Sequence, residues 1–177
     1  NFLEARVTVS SAVFRPAQVV RWIETMIVHG EGDLQGEPFL LRPDQKLLVW
    51  QWFEFADEVD AVTGVRLWQF ERLYLEAPKG LGKTMLFAAL LIESFLGPSR
   101  EFSPGSPNIP VGANSEDQAD DTIWGRVCQI LGDRNCPLRP FVTVFDDRVI
   151  YADGSPGLMQ RVPNNARTVD GGLPTLY

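Results

Sequence analysis

The sequence predicts an α/β fold: a mostly parallel central sheet covered by helices, with a β-hairpin added late in the chain. Three observations predict it. Short apolar runs at 72–77 and 109–113 are each followed by a helical segment, the order that lays parallel strands side by side with helices across them. The helix after the first run, "MLFAALLIESFL", is apolar almost all round, so it is expected to be buried on most sides. Late in the chain "FVTVF" and "RVIYA" flank Asp146-Asp147, a hairpin pattern. With 177 residues, 45% of them hydrophobic and 22% charged, the chain is long enough for one good core.

The elements follow in order. Residues 16–29 read as a helix. Pro16 suits a first helical position, where its missing N–H costs nothing. Val19, Val20, Ile23, Met26 and Ile27 then recur at three- and four-residue steps as one apolar stripe. "GEGDLQGEP" is a loop broken by Gly30, Gly32 and Gly36. "RPDQKLLVWQWFEFADEV" reads as a second helix opened by Pro43, with Glu54, Asp57, Glu58 and Asp60 as a solvated acidic face. "RLYLEA", 72–77, is a short strand, 83–97 the buried helix, and "IPVGA", 109–113, a second strand. Ser115 and Gln118 have the spacing of a capping box, which starts a helix running to about Leu131. The hairpin comes next, then a turn at "DGSPG" and a further strand at "LMQRVP". "VDGGLPTLY" runs into a last strand that the end of the sequence interrupts.

Composition narrows the function. A net charge of −7 argues against a free-standing nonspecific DNA binder, which needs a basic surface. The lysines are Lys46, Lys79 and Lys83, and the last two lie within five residues of each other. Cys128 and Cys136 lack metal-ligand spacing, and His29 is the single histidine, so a zinc site is not expected; the cysteines read as reduced thiols. No leader and no apolar run of about 18 residues is visible, which predicts a soluble protein. The start at Asn1 rather than Met predicts a piece of a longer chain.

The chemistry concentrates in "LYLEAPKGLGKTMLFAALL", 73–91. A phosphate cradle needs glycines where side chains would collide with phosphate, a lysine that reaches the outer phosphates, and a Ser or Thr for Mg2+. It must also open a helix whose N-terminal dipole favours anions. Gly80 and Gly82 supply the glycines, Lys83 the ammonium and Thr84 the Mg2+ ligand. Ala77 stands where the usual pattern has its first glycine. Placed between a strand and a helix, the loop predicts a P-loop NTPase that binds ATP and Mg2+. Lys79 is a second lysine in the same loop, able to swing over the γ-phosphate and neutralise charge as an arginine finger does.

Three stretches in order, "GDLQGEPFLLRPDQ" at 32–45, "PKGLGKT" at 78–84 and "GANSEDQA" at 112–119, extend this reading. Through them the chain resembles the N-terminal ATPase domain of the large terminase subunit of tailed bacteriophages, a P-loop DNA-packaging motor. The resemblance implies that Pro78, Lys79, Gly80, Leu81, Gly82, Lys83 and Thr84 form the nucleotide loop. It implies that Gln45 recognises adenine, and that Lys79 is the counterpart of a basic loop residue that is more often arginine. Asn114 and Ser115 would lie near the nucleotide edge of the sheet. Residues 1–71 would form the helical lead-in and adenine side, and 72–177 the P-loop core.

The resemblance further implies that the Mg2+-binding acid and the catalytic glutamate lie just beyond Tyr177, and that the C-terminal nuclease domain is absent, so this fragment would not turn over ATP alone. Arg161 and Arg167 are candidates for a finger reaching a neighbouring subunit; the family's Arg-Gly before the last strand is here Asp170-Gly171. The implied partners are double-stranded viral DNA, the portal protein, the small terminase subunit and further copies in a ring, at the procapsid portal in the host cytoplasm. Two alternatives stay open: another P-loop ATPase of helicase-like type, and an inactive nucleotide-binding or assembly module.

Overall fold

The computed structural model describes residues 16–62, 66–102, 105–113 and 123–163. Helix α1 spans Pro16–Met26 and buries Val19 and Ile23. It stops three residues short of the expected helix because the chain turns back on itself. Val28 bridges Pro38, and the Phe39 N–H donates to the Ile27 carbonyl at 2.8 Å. Gly36, with φ +80°, allows this reversal at a conformation that L side chains rarely adopt.

Helix α2 spans Pro43–Trp52 and is the first clear correction. The sequence pattern continued the helix through the acidic stretch, but residues Phe55–Val59 form strand β1, paired antiparallel with β2, Arg66–Trp68. The reason is aromatic packing. Phe55 stacks on Trp68 at 4.5 Å and 10°, and both meet Phe102 edge-on at 5.1 and 6.1 Å. A helix through these positions would have scattered those rings round its axis; a strand presents them to one partner.

Residues 72–77 hold a second correction. Leu73, Leu75 and Ala77 are half-buried while Arg72, Tyr74 and Glu76 are exposed, the alternation of a strand. No described strand pairs with this segment, so among the described residues it has no ladder. A strand is completed by a neighbour's backbone, which a local pattern does not supply.

Helix α3, Lys83–Leu96, is the centre of the core. None of its residues is exposed, as its all-round apolar sequence requires. It packs against α1 and α4, Ile123–Gly132. The second sheet contains β3, Asn108–Ala113, β4, Val142–Val144, β5, Arg148–Tyr151, and β6, Leu158–Pro163, in the order β3-β6-β5-β4. Among the described strands of this sheet only β3 and β6 run parallel; β6-β5 and β5-β4 are antiparallel. The described sheet is therefore mixed rather than mostly parallel, because the short hairpin connection between β4 and β5 permits only antiparallel pairing. Tyr151 ties the sheet to α3: its ring stacks on Phe95 at 4.5 Å and its hydroxyl donates to the Phe95 carbonyl at 2.5 Å.

Cys128 and Cys136 are not joined in a disulfide, and no cluster of metal-ligating side chains occurs among the described residues. No described helix is long and apolar enough to cross a membrane. Ser115, Gln118 and the terminal "VDGGLPTLY" lie outside the described residues.

Candidate functional site

The loop between the extended segment and α3 turns at its two glycines. Gly80 has φ +89°, and Gly82, at the N-cap of α3, has φ +69° and ψ 25°. Positive-φ glycines on either side of Leu81 bend the backbone sharply just before the helix starts. Among the described residues other than its chain neighbours, no atom lies within 4 Å of where a Cβ at Gly80 would stand. The first amides of α3 face the same end of the helix and add its dipole.

Lys83 is half-buried, and its ammonium donates to the carbonyls of Ala77 and, at 2.9 Å, of Pro78. The lysine thus closes the loop from the inside and holds its first peptides against the start of the helix. Thr84, the next residue of α3, is half-buried. Lys79 stands exposed on the turn, and Leu81 is 41% exposed.

Gln45 reaches the loop from α2. It is buried, its Oε1 accepts the Arg42 N–H at 3.0 Å, and its Nε2 lies 3.5 Å from where a Cβ at Gly82 would sit. The structure therefore brings Gln45 and the glycine loop together across 37 positions of sequence, with the amide NH2 turned towards the loop. The 3.0 Å cap also explains the side chain's burial at a helix N-terminus, a place where glutamines are commonly solvated.

Arg42 belongs to the same cluster and was not visible as a site residue in the sequence. Its Nη1 donates to the Leu81 carbonyl at 3.0 Å, while Nε and Nη2 clasp Asp44 at 3.0 and 2.7 Å. The Arg42 guanidinium holds the Asp44 carboxyl below its usual range, and Asp44 in turn raises Arg42. The one local signal is the spacing Arg42-Pro43-Asp44, which puts the carboxylate two residues from the guanidinium at a helix start.

Arg161 does not join this cluster by any described contact. It is an exposed residue of β6 opposite Val111, and its backbone N–H donates to the Asp147 carbonyl at 2.9 Å. Arg167, Asn114 and Ser115 lie outside the described residues.

No family model matches the chain, and no curated protein matches it. Among solved structures, it is similar to the large terminase of bacteriophage HK97, with a TM-score of 0.64 and 19% identity. The match covers 92% of this chain and 30% of that one, so the chain spans less than a third of its neighbour's length. The likeness read from three short motifs is thus matched by a likeness of fold over nearly the whole chain.

Proposed function

We propose that this chain is the ATP-binding part of a viral DNA-packaging motor. One observation carries the reading: a loop with left-handed Gly80 and Gly82, closed by Lys83, opens a buried helix within a fold similar to that of a phage large terminase. The loop from Pro78 to Thr84 would hold the phosphates, with Lys83 leaving its carbonyls to meet the β- and γ-oxygens. Thr84 would hold Mg2+, which when bound offsets charge between those phosphates. Gln45 would face the base and prefer adenine, since an amide pairs with both N6 and N7. Lys79 would lie over the γ-phosphate as transferring charge develops. In the complete protein, hydrolysis would drive double-stranded DNA through a ring of subunits at the portal, with the small subunit and a nuclease domain as partners in initiation and cutting. Arg167 would be a candidate finger between subunits.

Calorimetric titration with Mg-ATP or Mg-ADP tests the loop directly. The chain should bind both, and Lys83→Ala should weaken binding about tenfold or more, the loss of a charge-assisted contact. Undiminished binding by that variant would remove the cradle.

A further inference from the structure

We propose that Arg42 is a positioning residue that sets the Leu81–Gly82 peptide in its phosphate-facing orientation, with Asp44 as the group that aims it. The inference rests on the nucleotide-binding reading of the loop and assigns a residue outside it.

The argument begins with the peptide unit. In a trans peptide the carbonyl and the following N–H point in opposite directions. A donor that holds the Leu81 carbonyl on its own side therefore turns the Gly82 N–H to the opposite side, away from the guanidinium. Nη1 of Arg42 is that donor, at 3.0 Å. Gly82 needs such control more than most residues, because glycine populates both signs of φ about equally and its own sequence does not choose. Its φ of +69° is one of two accessible signs, and a contact to the adjoining carbonyl helps to select it.

A long arginine side chain would seldom hold one carbonyl alone, since it has rotamer freedom to lose. Asp44 removes that freedom. It takes Nε and Nη2 in a two-pronged pair at 3.0 and 2.7 Å, which fixes the guanidinium plane and leaves Nη1 aimed at the loop. Lysine has no planar fork and does not reproduce this arrangement. The pair is substantially exposed, 42% and 65% of the two side chains, so its value is direction rather than stability.

The same residue also touches the base side. The Arg42 backbone N–H holds Gln45 Oε1 at 3.0 Å. That contact survives any change of the Arg42 side chain. Phosphate affinity and base preference are consequently separable at one position.

The test is titration of the chain with Mg-ADP, Mg-ATP and Mg-GTP, alongside thermal melting without nucleotide. Arg42→Ala and Arg42→Lys should each weaken Mg-ADP about tenfold, leave the melting temperature unchanged and keep the ATP-to-GTP affinity ratio. Asp44→Asn should weaken Mg-ADP about threefold in the parent and have no further effect beside Arg42→Ala, because its only route to the loop is through the guanidinium. Parent-like Mg-ADP binding by Arg42→Lys, with Lys83→Ala impaired, overturns the role of Arg42 and leaves the nucleotide reading standing. Loss of base preference or of melting temperature in step with affinity makes Arg42 a general structural residue and also overturns it. A parent chain that binds no Mg-ADP overturns both.

Discussion

At the residue scale, Ala77 occupies the place where the sequence pattern expects a first glycine. Its contribution runs through its backbone: Lys83 takes the Ala77 carbonyl, which any residue supplies. The methyl group is half-buried beside the loop, and the conformations that demand glycine fall at Gly80 and Gly82. Two predictions belong here. Gln45→Ala should erase preference for ATP over GTP while leaving Mg-ADP phosphate contacts in place, and competitive titration of the two triphosphates reads the ratio. If selectivity survives, Gln45 is a helix cap and nothing more. Lys79→Ala, measured in a form of the protein that turns over ATP, should lower kcat by about 10³-fold or more with little change in KM, the pattern of a contact made in the transition state. Equal losses in binding and rate would make Lys79 a ground-state ligand.

At the element scale, α3 carries an acid in the core. Glu93 is fully buried on a helix with no exposed residue. Burial pushes its carboxyl up to about 7, although bonds from Ser99 oppose the rise. The Ser99 N–H donates to Oε1 at 3.0 Å, and the Ser99 hydroxyl lies 2.6 Å from Oε2. These contacts tie the end of α3 to the 3-10 turn Pro98–Phe102. An acid whose folded value lies above its usual 4.5 binds more protons folded than unfolded between those values. Its contribution is therefore complete below about pH 4.5 and is lost as pH rises through about 7. The swing is on the order of 3 kcal/mol. Glu93→Gln mimics the protonated acid, accepting through oxygen and donating through nitrogen. It should flatten stability between those pH values and make the protein more stable than the parent at pH 8, as urea unfolding across pH would report. A parent-like slope in the variant would place the titration elsewhere.

At the scale of the whole molecule, the early segment and the core are one packed body. Buried residues of α1, α2, α3, α4 and the second sheet form a single apolar cluster. The loop after α1 is fastened to α4 and the turn beyond it. Arg126 pairs with Glu31 at 2.7 Å, Gln129 donates to Glu31 at 2.7 Å, and Gln35 donates to Asp133 at 3.0 Å. Gly30 permits this approach: a Cβ there would stand 2.6 Å from the Gln129 Cβ and 2.8 Å from α4 backbone atoms. Backbone cannot swing aside as a side-chain tip does, so Gly30→Ala should destabilise the entire fold by about 1–3 kcal/mol. Urea unfolding followed by tryptophan fluorescence should show one transition at a lower midpoint. Separate transitions for the early segment and the core would contradict a shared core.

What short-range chemistry dictates was legible from the residues alone. The buried helix α3, the β4–β5 hairpin and the turn at Asp146-Asp147 all depend on neighbours a few positions away, and all were found in place. The strand at 55–59 was misread as helix because its reason is the distant Trp68 and Phe102. The run at 72–77 alternates like a strand yet has no described partner, and the sheet proved mixed. Arg42 escaped notice because its target is a backbone carbonyl 39 positions away, and a carbonyl leaves no mark in a sequence. Local conformation follows from side-chain sterics and spacing, which the order of residues states outright. Pairing between strands and contacts to backbone depend on which segments meet in space, and that is settled only when the whole chain buries its apolar surface together.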